Sequence, residues 1–330
     1  MKDMKIGFFG VESWEKEIIE REISSIESFG IGIFEDQVQD NIGVASRYDI
    51  ISTFIKGNFD KSVLVKLPNL KMIATRSTGL DHIDMEECKK RKIEVLSVPE
   101  YGSNTVAEYT IALMLAITKK IIPAHQSVEN GEFKPDGLTG IDLVGKTLGV
   151  VGVGKIGRNV IKIARGMGMK IMANEKTPDE ELAKKLGFKC VSLEELLRTA
   201  DVISIHVPAV PGTIHLINKE NIKLIKPGSY LINTSRGAVV ETEALVWALN
   251  KKILAGVGID VVEEENKVEN ISILMDMRER KEDLQDILSF HMLKDRDDVV
   301  ITPHNAFNTR EAIERIVGTT IENIKSYINK

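Results

Sequence analysis

Three side chains that could bind and protonate a small organic acid each follow an apolar run of the sequence. They are Arg236, one member of the acidic triplet 263–265, and His304. An arginine fork holds a carboxylate through two hydrogen bonds, and histidine has the unperturbed pKa closest to neutral pH. A carboxylate beside the histidine would favour the protonated ring. The triplet alone does not identify the acting glutamate, and Arg236 or His304 could instead be structural.

A glycine-rich segment, GVGKIG, lies directly after another apolar run and directly before a helical pattern. Gly152 permits a tight turn, Gly154 lets the backbone approach a pyrophosphate, and Gly157 lets the helix pack closely on the sheet. N–H groups at the start of that helix would hold the phosphates; they belong to Lys155 and Ile156. The segment predicts a dinucleotide site.

A carboxylate supports this interpretation from the end of the next predicted strand. Glu175 stands 18 residues after Gly157, where an acidic residue accepts hydrogen bonds from the adenosine ribose. Glu175 would also repel a 2′-phosphate, so NAD is favoured over NADP. Lys176 weakens that preference, because a lysine there could meet the phosphate.

If a dinucleotide binds here, then Arg236, the acidic triplet and His304 suit hydride transfer to or from a hydroxy acid. Arg236 would hold the acid's carboxylate, His304 would exchange the hydroxyl proton, and a glutamate would tune the histidine. His206 also ends a predicted strand, but the sequence offers it no acidic partner. A structural place beside the cofactor therefore explains His206 better.

Alternating strands and helices must position these residues. Strands are predicted at 5–9, 31–34, 50–55, 72–75 and 94–97, and then at 147–151, 170–173, 202–206, 230–233, 256–260 and 299–302. Short strands that alternate with helices indicate parallel sheets covered on both faces, so the fold class is α/β. The six later strands, which begin at a glycine turn, predict a doubly wound dinucleotide fold.

Three of the predicted helices carry clear signals. Asn104 is expected to cap a long helix to about Ile122, which is apolar almost all round and therefore buried on more than one side. A second helix, at 178–186, has a proline at its start and Gly187 just past its end. The last helix, at 309–327, is expected to pack back on the first domain.

Composition limits the class of protein. The 330 residues suggest two domains, and 43% hydrophobic with 28% charged residues is typical of a globular protein. A net charge of −5 argues against nucleic acid or an anionic membrane as a partner. Cys88 and Cys190 lack metal-ligand spacing, the N-terminus has no signal-peptide pattern, and the longest apolar segment is 109–118. We therefore expect a cytoplasmic protein with reduced thiols and without a bound metal.

Seven segments together resemble the D-isomer-specific 2-hydroxyacid dehydrogenase family, nearest its D-lactate dehydrogenase branch. They are ATRSTGLDHID (74–84), VPEYGSNTVAEYT (98–110), GVVGVGKIGR (149–158), ADVISIHVPAVPGTIHLIN (200–218), YLINTSRGAVVE (230–241), GVGIDVVEEE (256–265) and VVITPHNAF (299–307). The resemblance implies reversible, NAD-dependent reduction of a 2-keto acid and a homodimer formed through the cofactor domains. It also implies a Rossmann NAD-binding domain, at 101–303, inserted into a flavodoxin-like substrate domain, at 1–100 plus 304–330.

The same resemblance implies roles for individual residues. The catalytic set falls on Arg236, Glu265 and His304, with Glu265 chosen because it stands five residues after Asp260. Asp260 matches the residue that contacts the nicotinamide amide. The other implied cofactor positions are His206, Val207, Pro208, Thr213, Thr234 and Ser235. Substrate positions fall on the backbone amides of Thr78 and Gly79 and on two aromatic residues, Tyr101 and Phe307.

Departures from the family pattern and competing functions remain. Asn174-Glu175-Lys176 replaces the family's frequent tyrosine, aspartate and proline, and the insert Lys267–Lys294 could line the cleft or only cover the surface. Pyruvate is the favoured substrate. Phosphoglycerate or 2-hydroxyglutarate would call for an extra cation, for which Lys56 is a candidate. A non-catalytic NAD(H)-sensing protein is a further alternative, against which the three catalytic residues argue.

Overall fold

The computed structural model describes residues 4–26, 29–263 and 281–330. They form two compact units, one containing Met1–Gly102 and Asn308–Lys330 and the other Ser103–Phe307. Glu265 and the first part of the insert, 267–280, lie outside the described residues. Each unit contains one parallel sheet with helices packed against it, so the predicted α/β class is confirmed.

The first unit has a five-stranded sheet in the order β2-β1-β3-β4-β5. Its strands are β1 (Lys5–Phe8), β2 (Gly30–Ile33), β3 (Ile50–Thr53), β4 (Met72–Thr75) and β5 (Glu94–Leu96). Its helices in the first part of the chain are α1 (Ser13–Ile23), α2 (Ile42–Ala45), α3 (Lys61–Leu64) and α4 (Met85–Lys90). This strand order is the flavodoxin-like one, with a topological switch point between β1 and β3.

The last helix, Arg310–Ile328, completes the first unit and is called α12 here. It begins after Thr309, whose hydroxyl accepts a hydrogen bond from the Ala312 N–H at 3.3 Å. Its apolar face, which includes Ile313, Val317 and Ile324, shares a buried cluster with residues of β1, β3 and β4. The predicted return of the last helix to the first part of the chain is confirmed.

The second unit has a seven-stranded sheet in the order β12-β11-β10-β9-β6-β7-β8. The strands are β6 (Thr147–Val151), β7 (Lys170–Asn174), β8 (Lys189–Cys190), β9 (Val202–Ile205), β10 (Ser229–Asn233), β11 (Leu254–Ile259) and β12 (Val299–Ile301). The helices are α5 (Ser103–Thr118), α6 (Ile121–Glu129), α7 (Lys155–Gly166), α8 (Glu180–Leu186), α9 (Leu193–Thr199), α10 (Thr242–Asn250) and α11 (Lys281–Lys294). The order reverses between β6 and β9, as in doubly wound dinucleotide folds.

The strands are buried because their sequences are continuously apolar. β9 and β10 are buried at every position, which is typical of central strands of a parallel sheet covered on both faces. All eleven predicted strands are present, with small shifts at their ends. The additional strand, β8, is only two residues long and has too short a pattern to be recognised.

The predicted helix from Asn104 to Ile122 is too long. α5 ends at Thr118, and Lys120 adopts a left-handed backbone with φ of 52° before α6 starts. Pro123 lacks an N–H and disfavours helical geometry in the residue before it, so it opposes a continuous helix. Packing fixes the break, because the Thr118 carbonyl accepts a hydrogen bond from the Ile141 N–H at 3.0 Å. By contrast, Gly187 ends α8 with φ of 68°, as predicted.

Candidate active site

The chemistry-bearing residues of the second unit lie where its strands end at their carboxyl edge. Read across the sheet from β12, the strand ends carry His304, Asp260, Arg236, His206, the glycine turn and Glu175. Neighbouring strands are about 4.8 Å apart, so the loops after β12, β11 and β10 emerge within about 10 Å of one another. Ligands of open α/β sheets bind along this edge.

The glycine turn between β6 and α7 has the geometry of a phosphate cradle. Gly152 has φ of +94°, and a Cβ there would lie 2.7 Å from the His206 carbonyl oxygen. A Cβ on Gly157 would lie 2.2 Å from the Gly152 oxygen, whereas open space surrounds Gly154. Gly154 is also the N-cap of α7 and brings no side chain over the helix start. The N-terminus of a 12-residue helix is therefore accessible to a pyrophosphate.

Glu175 lies against this turn. Its Oε2 accepts a hydrogen bond from the Val153 N–H at 2.6 Å, and its Oε1 accepts one from the Lys176 N–H at 2.9 Å. A carboxylate offers about four acceptor sites, so two remain for hydroxyl donors such as those of a ribose. The position of Glu175 fits the role predicted from the spacing.

His206, directly after β9, is a second polar residue beside the glycine turn. Its Nε2 lies 2.7 Å from the Ser204 Oγ, while its buried Nδ1 has no hydrogen-bond partner in the described part of the chain. Burial lowers the pKa of the ring to about 3, so the imidazole is neutral at physiological pH. A buried polar atom without a partner costs free energy, which a bound ligand would recover.

Hydrogen bonds hold the two loops that follow β9 and β10. Val207 and Pro208 follow β9, and the Thr213 hydroxyl lies 2.5 Å from the Pro208 carbonyl oxygen and accepts from the Val210 N–H at 2.9 Å. The Thr213 side chain thus closes its own loop. After β10, the Thr234 hydroxyl lies 2.8 Å from that of Thr110 on α5 and is buried.

The loop after β10 presents Arg236 on a rigid turn. Asn233 accepts hydrogen bonds from the Ser235 N–H and hydroxyl at 3.0 and 2.8 Å, and its amide donates to the Arg236 carbonyl at 3.0 Å. A Cβ on Gly237 would lie 2.0 Å from the Val262 carbonyl oxygen. Glycine is therefore required for the arginine loop to approach the segment after β11. The Arg236 guanidinium is half-buried, and its Nη1 donates to the Ser235 carbonyl at 2.7 Å.

Asp260 organises the loop that carries His304. Its buried carboxylate accepts from the Thr302 hydroxyl at 2.5 Å and from the backbone N–H groups of Asn305 and Ala306, both at 2.8 Å. The His304 N–H donates to the Asp260 carbonyl at 2.9 Å. Desolvation raises the pKa of Asp260, against the opposing effect of these hydrogen bonds.

His304 itself has φ of +50°, a conformation that non-glycine residues seldom adopt. Such strain persists only where the surroundings impose it, and it is concentrated at functional sites. The four hydrogen bonds that join Asp260 to residues 302–306 are the restraint here. The structure thus assigns the Asp260 side chain to this loop, a role that sequence reasoning missed.

Glu263, one of the three candidate glutamates, has a structural set of contacts. One carboxylate oxygen accepts from the Thr242 N–H at 2.7 Å and its hydroxyl at 2.6 Å, and the other lies 2.5 Å from His215 Nε2. These contacts tie the segment after β11 to the start of α10. Glu265, the family's catalytic position, lies outside the described residues.

In the first unit, the loop after β4 contains Thr78 and Gly79. The Thr78 hydroxyl donates to the Val98 carbonyl at 2.7 Å, and the Ser77 hydroxyl donates to the Gly79 carbonyl at 2.7 Å. Within the described ranges, the N–H groups of Thr78 and Gly79 donate to no protein acceptor. Two successive amides without a protein acceptor can together bind an anion.

The two predicted aromatic substrate positions fall in different units. Tyr101 is half-buried in the first unit, where its carbonyl accepts from Arg315 Nε at 2.7 Å. Phe307 is buried at the end of the second unit. Among the described residues, we find neither a cluster of metal-binding side chains nor a helix long and apolar enough to span a membrane.

Comparison with known proteins identifies the family. Residues 111–306 match the model of the D-isomer-specific 2-hydroxyacid dehydrogenase NAD-binding domain. The structure of D-lactate dehydrogenase from Aquifex aeolicus, complexed with NAD and lactic acid, superposes with a TM-score of 0.87 at 34% identity, covering 98% of this chain and 95% of that one.

Two relatives by sequence agree. D-lactate dehydrogenase of Escherichia coli K12 is 30% identical over 326 residues, which is 98% of this chain and 96% of the relative. Glyoxylate reductase of Thermococcus litoralis is 40% identical over 262 residues, 76% of this chain and 79% of the relative. The chain therefore belongs to the NAD-dependent D-isomer-specific 2-hydroxyacid dehydrogenases, oxidoreductases with a Rossmann NAD-binding domain that act on CH–OH groups.

Proposed function

We propose that this dehydrogenase reduces pyruvate to D-lactate, with His304 as the proton donor. The observation that carries the proposal is the order of loops at the sheet edge. His304, Asp260 and Arg236 follow three neighbouring strands, and the NAD cradle lies two strands beyond Arg236. An acid, its positioning group and a carboxylate-binding cation are thus side by side.

NADH, when bound, supplies the hydride that reduces the keto carbon. Arg236 binds the substrate carboxylate through its guanidinium fork, which also orients the keto group. His304 donates a proton to the keto oxygen as negative charge develops there, and it takes the proton back in the reverse reaction. The family resemblance implies that Glu265 assists His304 in this proton transfer.

The first unit contributes the rest of the substrate site in this proposal. The amides of Thr78 and Gly79 donate to the substrate carboxylate, because the protein offers them no other acceptor among the described residues. Tyr101 is the aromatic residue that the first unit offers to the substrate's methyl group, and Phe307, at the end of the second unit, is the other aromatic residue of the proposal. The first unit is accordingly the substrate domain and the second the cofactor domain.

Glyoxylate is the second candidate substrate. The Thermococcus litoralis glyoxylate reductase has the higher identity, 40%, but the match covers only 76% of this chain. The Aquifex aeolicus lactate enzyme matches over 98%. The match to the lactate enzyme covers almost the whole chain, and we therefore favour pyruvate.

A substrate panel tests this assignment. NADH consumption is followed at 340 nm with pyruvate, glyoxylate, phenylpyruvate, 2-ketoglutarate and phosphohydroxypyruvate, and the product configuration is read on a chiral column. We expect the highest kcat/KM with pyruvate and a D-lactate product. A higher kcat/KM with another acid would reassign the substrate. Absence of turnover with every acid would favour an NAD(H)-sensing protein.

We also propose that the protein is a cytoplasmic homodimer formed through its second unit. Large apolar side chains are exposed there on α6 and the following loop, including Ile121 at 51%, Phe133 at 89% and Val144 at 75%. A second copy of the chain would cover them. Cys88 and Cys190 are both free thiols, the state that a reducing compartment favours. Light scattering on wild type and on Phe133→Asp tests the dimer, which the variant should weaken.

A further inference from the structure

A fully buried ion pair lies inside the first unit. Arg76, directly after β4, and Glu15, in the first turn of α1, both have fully buried side chains. The guanidinium donates from Nε to Glu15 Oε2 at 2.9 Å and from Nη2 to Glu15 Oε1 at 2.8 Å. This two-bond geometry is the strongest that an arginine and a carboxylate form.

The remaining donors of Arg76 reach the ends of two other strands. Nη1 donates to the Ser52 hydroxyl in β3 at 3.1 Å, and Nη2 donates to the Phe9 and Gly10 carbonyls after β1, both at 3.0 Å. The guanidinium thus fills the switch point between β1 and β3. That is where a ligand is expected in a doubly wound sheet. The Thr78 and Gly79 amides, which donate to no protein acceptor among the described residues, lie in the loop after β4.

Arg76 is also the first residue of that loop. Its N–H donates to the Thr53 carbonyl at 2.7 Å, so both its backbone and its side chain are fixed to β3. Thr78 and Gly79 follow within three residues, on a loop that the Ser77 and Thr78 hydroxyls hold closed. The position of the Thr78 and Gly79 N–H groups therefore depends on where Arg76 is anchored.

Stability alone does not account for the pair. Removing two charges from water costs several kcal/mol for each ion, and a well-packed apolar pair of similar volume is often at least as stable. Arginine is among the residues that are least often fully buried. What an apolar pair cannot do is hydrogen-bond to the ends of two strands at once.

We propose that Arg76, held by Glu15, is a positioning residue that aligns the Thr78 and Gly79 amides with the substrate carboxylate. The inference rests on the proposed function, because it takes those amides as the substrate's binding site. It adds a role for two buried residues that would not touch the substrate. Its consequence is specific: loss of the anchor weakens binding of the keto acid and leaves NADH binding intact.

The test replaces both ions at once, in Glu15→Leu/Arg76→Met, so that no unpaired charge is left buried. We expect the pyruvate KM and the Kd of oxamate, an unreactive analogue, for the enzyme–NADH complex to rise about tenfold or more, as for the loss of one charged hydrogen bond. The NADH Kd, from fluorescence titration, should stay within about twofold, because the second unit binds NADH.

Arg91→Met is the matched control. Arg91 also donates to backbone carbonyls of the first unit, those of Leu64 and Leu67, but away from the 77–79 loop. It should leave the pyruvate KM unchanged. If the double variant is folded by circular dichroism and keeps the wild-type KM and oxamate Kd, the proposal is wrong.

Ser52→Ala keeps the test decisive if the double variant does not fold. It removes one of the five side-chain hydrogen bonds of Arg76. We expect the oxamate Kd to rise by about two- to fivefold. An unchanged oxamate Kd would overturn the proposal. Failure of the proposed function is seen separately, in wild type, as absence of pyruvate reduction. The proposal about Arg76 is tested only by the change in the pyruvate KM and the oxamate Kd between variant and wild type.

Discussion

Asp260→Asn isolates the role that the structure gives to Asp260. The substitution keeps the shape of the side chain but replaces one carboxylate oxygen by an amide group. Oδ1 accepts from Thr302 and Asn305, and Oδ2 accepts from the Ala306 N–H. An asparagine can keep the first two bonds, but its NH₂ would face the N–H of Ala306.

The expected magnitude follows from that single loss. A hydrogen bond to a charged group contributes about 1.5–3 kcal/mol. If the bond orients His304 in the transition state, kcat/KM falls by about 10- to 100-fold. The left-handed backbone of His304 makes the loop prone to relax once a restraint is removed.

Stability should behave differently from activity. Burial raises the pKa of Asp260 above its unfolded value, so the ionised carboxylate opposes folding once the pH rises above the unfolded pKa of about 3.9. Asparagine carries no such charge. The free energy of unfolding of the variant, relative to wild type, should therefore increase as the pH rises from about 4 to 7.

The assay combines steady-state kinetics with urea unfolding at several pH values. Asp201→Asn is the control, because Asp201 lies at the opposite edge of the same sheet, where it accepts from the Thr147 N–H at 2.8 Å. It should leave kcat/KM within about twofold of wild type. An Asp260→Asn enzyme with kcat/KM equally close to wild type would refute the positioning role.

Three further substitutions test the remaining assignments. His304→Ala should lower kcat by about 100-fold or more, the contribution of a general acid, with little change in the NADH Kd; near-wild-type turnover would contradict the acid role. Glu175→Ala should raise the ratio of kcat/KM with NADPH to that with NADH by about tenfold, because it removes the charge that would repel a 2′-phosphate; an unchanged ratio would remove Glu175 from cofactor selection. His206→Ala should weaken NADH binding by about fivefold in fluorescence titrations, and equally from pH 6 to 8, since burial lowers the pKa of the ring to about 3; a pH-dependent loss would mean that the ring titrates.

The fold could be predicted from the sequence because its strands are apolar along their whole length. Parallel strands covered on both faces leave a continuous hydrophobic signal, and the glycine turn marks where the second sheet begins. The apolar pattern does not predict the break after Thr118, although Pro123 is a visible signal for it. Its position depends on Ile141, which is distant in sequence and binds the end of α5.

The arrangement of the site was predictable in part for the same reason. Residues at the carboxyl ends of neighbouring parallel strands must lie along one edge, so Arg236 and His304 follow from the strand assignment. What each carboxylate binds does not follow. The family resemblance places Asp260 at the cofactor and gives no sign of its contacts with the 302–306 loop. The pairing of Glu263 with Thr242 and His215 depends on contacts across the sheet edge.

Buried charged side chains have the same proposed role in both units, which is to position a loop. Asp260 in one and the Arg76–Glu15 pair in the other are fully or almost fully buried. Asp260 bonds to the backbone of the loop that carries His304. Arg76 begins the loop that carries the Thr78 and Gly79 amides, and its side chain bonds to the backbone after β1. A buried charge is costly, and an apolar side chain would fill the same volume. An apolar side chain, however, cannot fix several N–H or C=O groups at defined distances. The two sites therefore share one expectation, that neutral replacements reduce catalysis far more than they reduce stability.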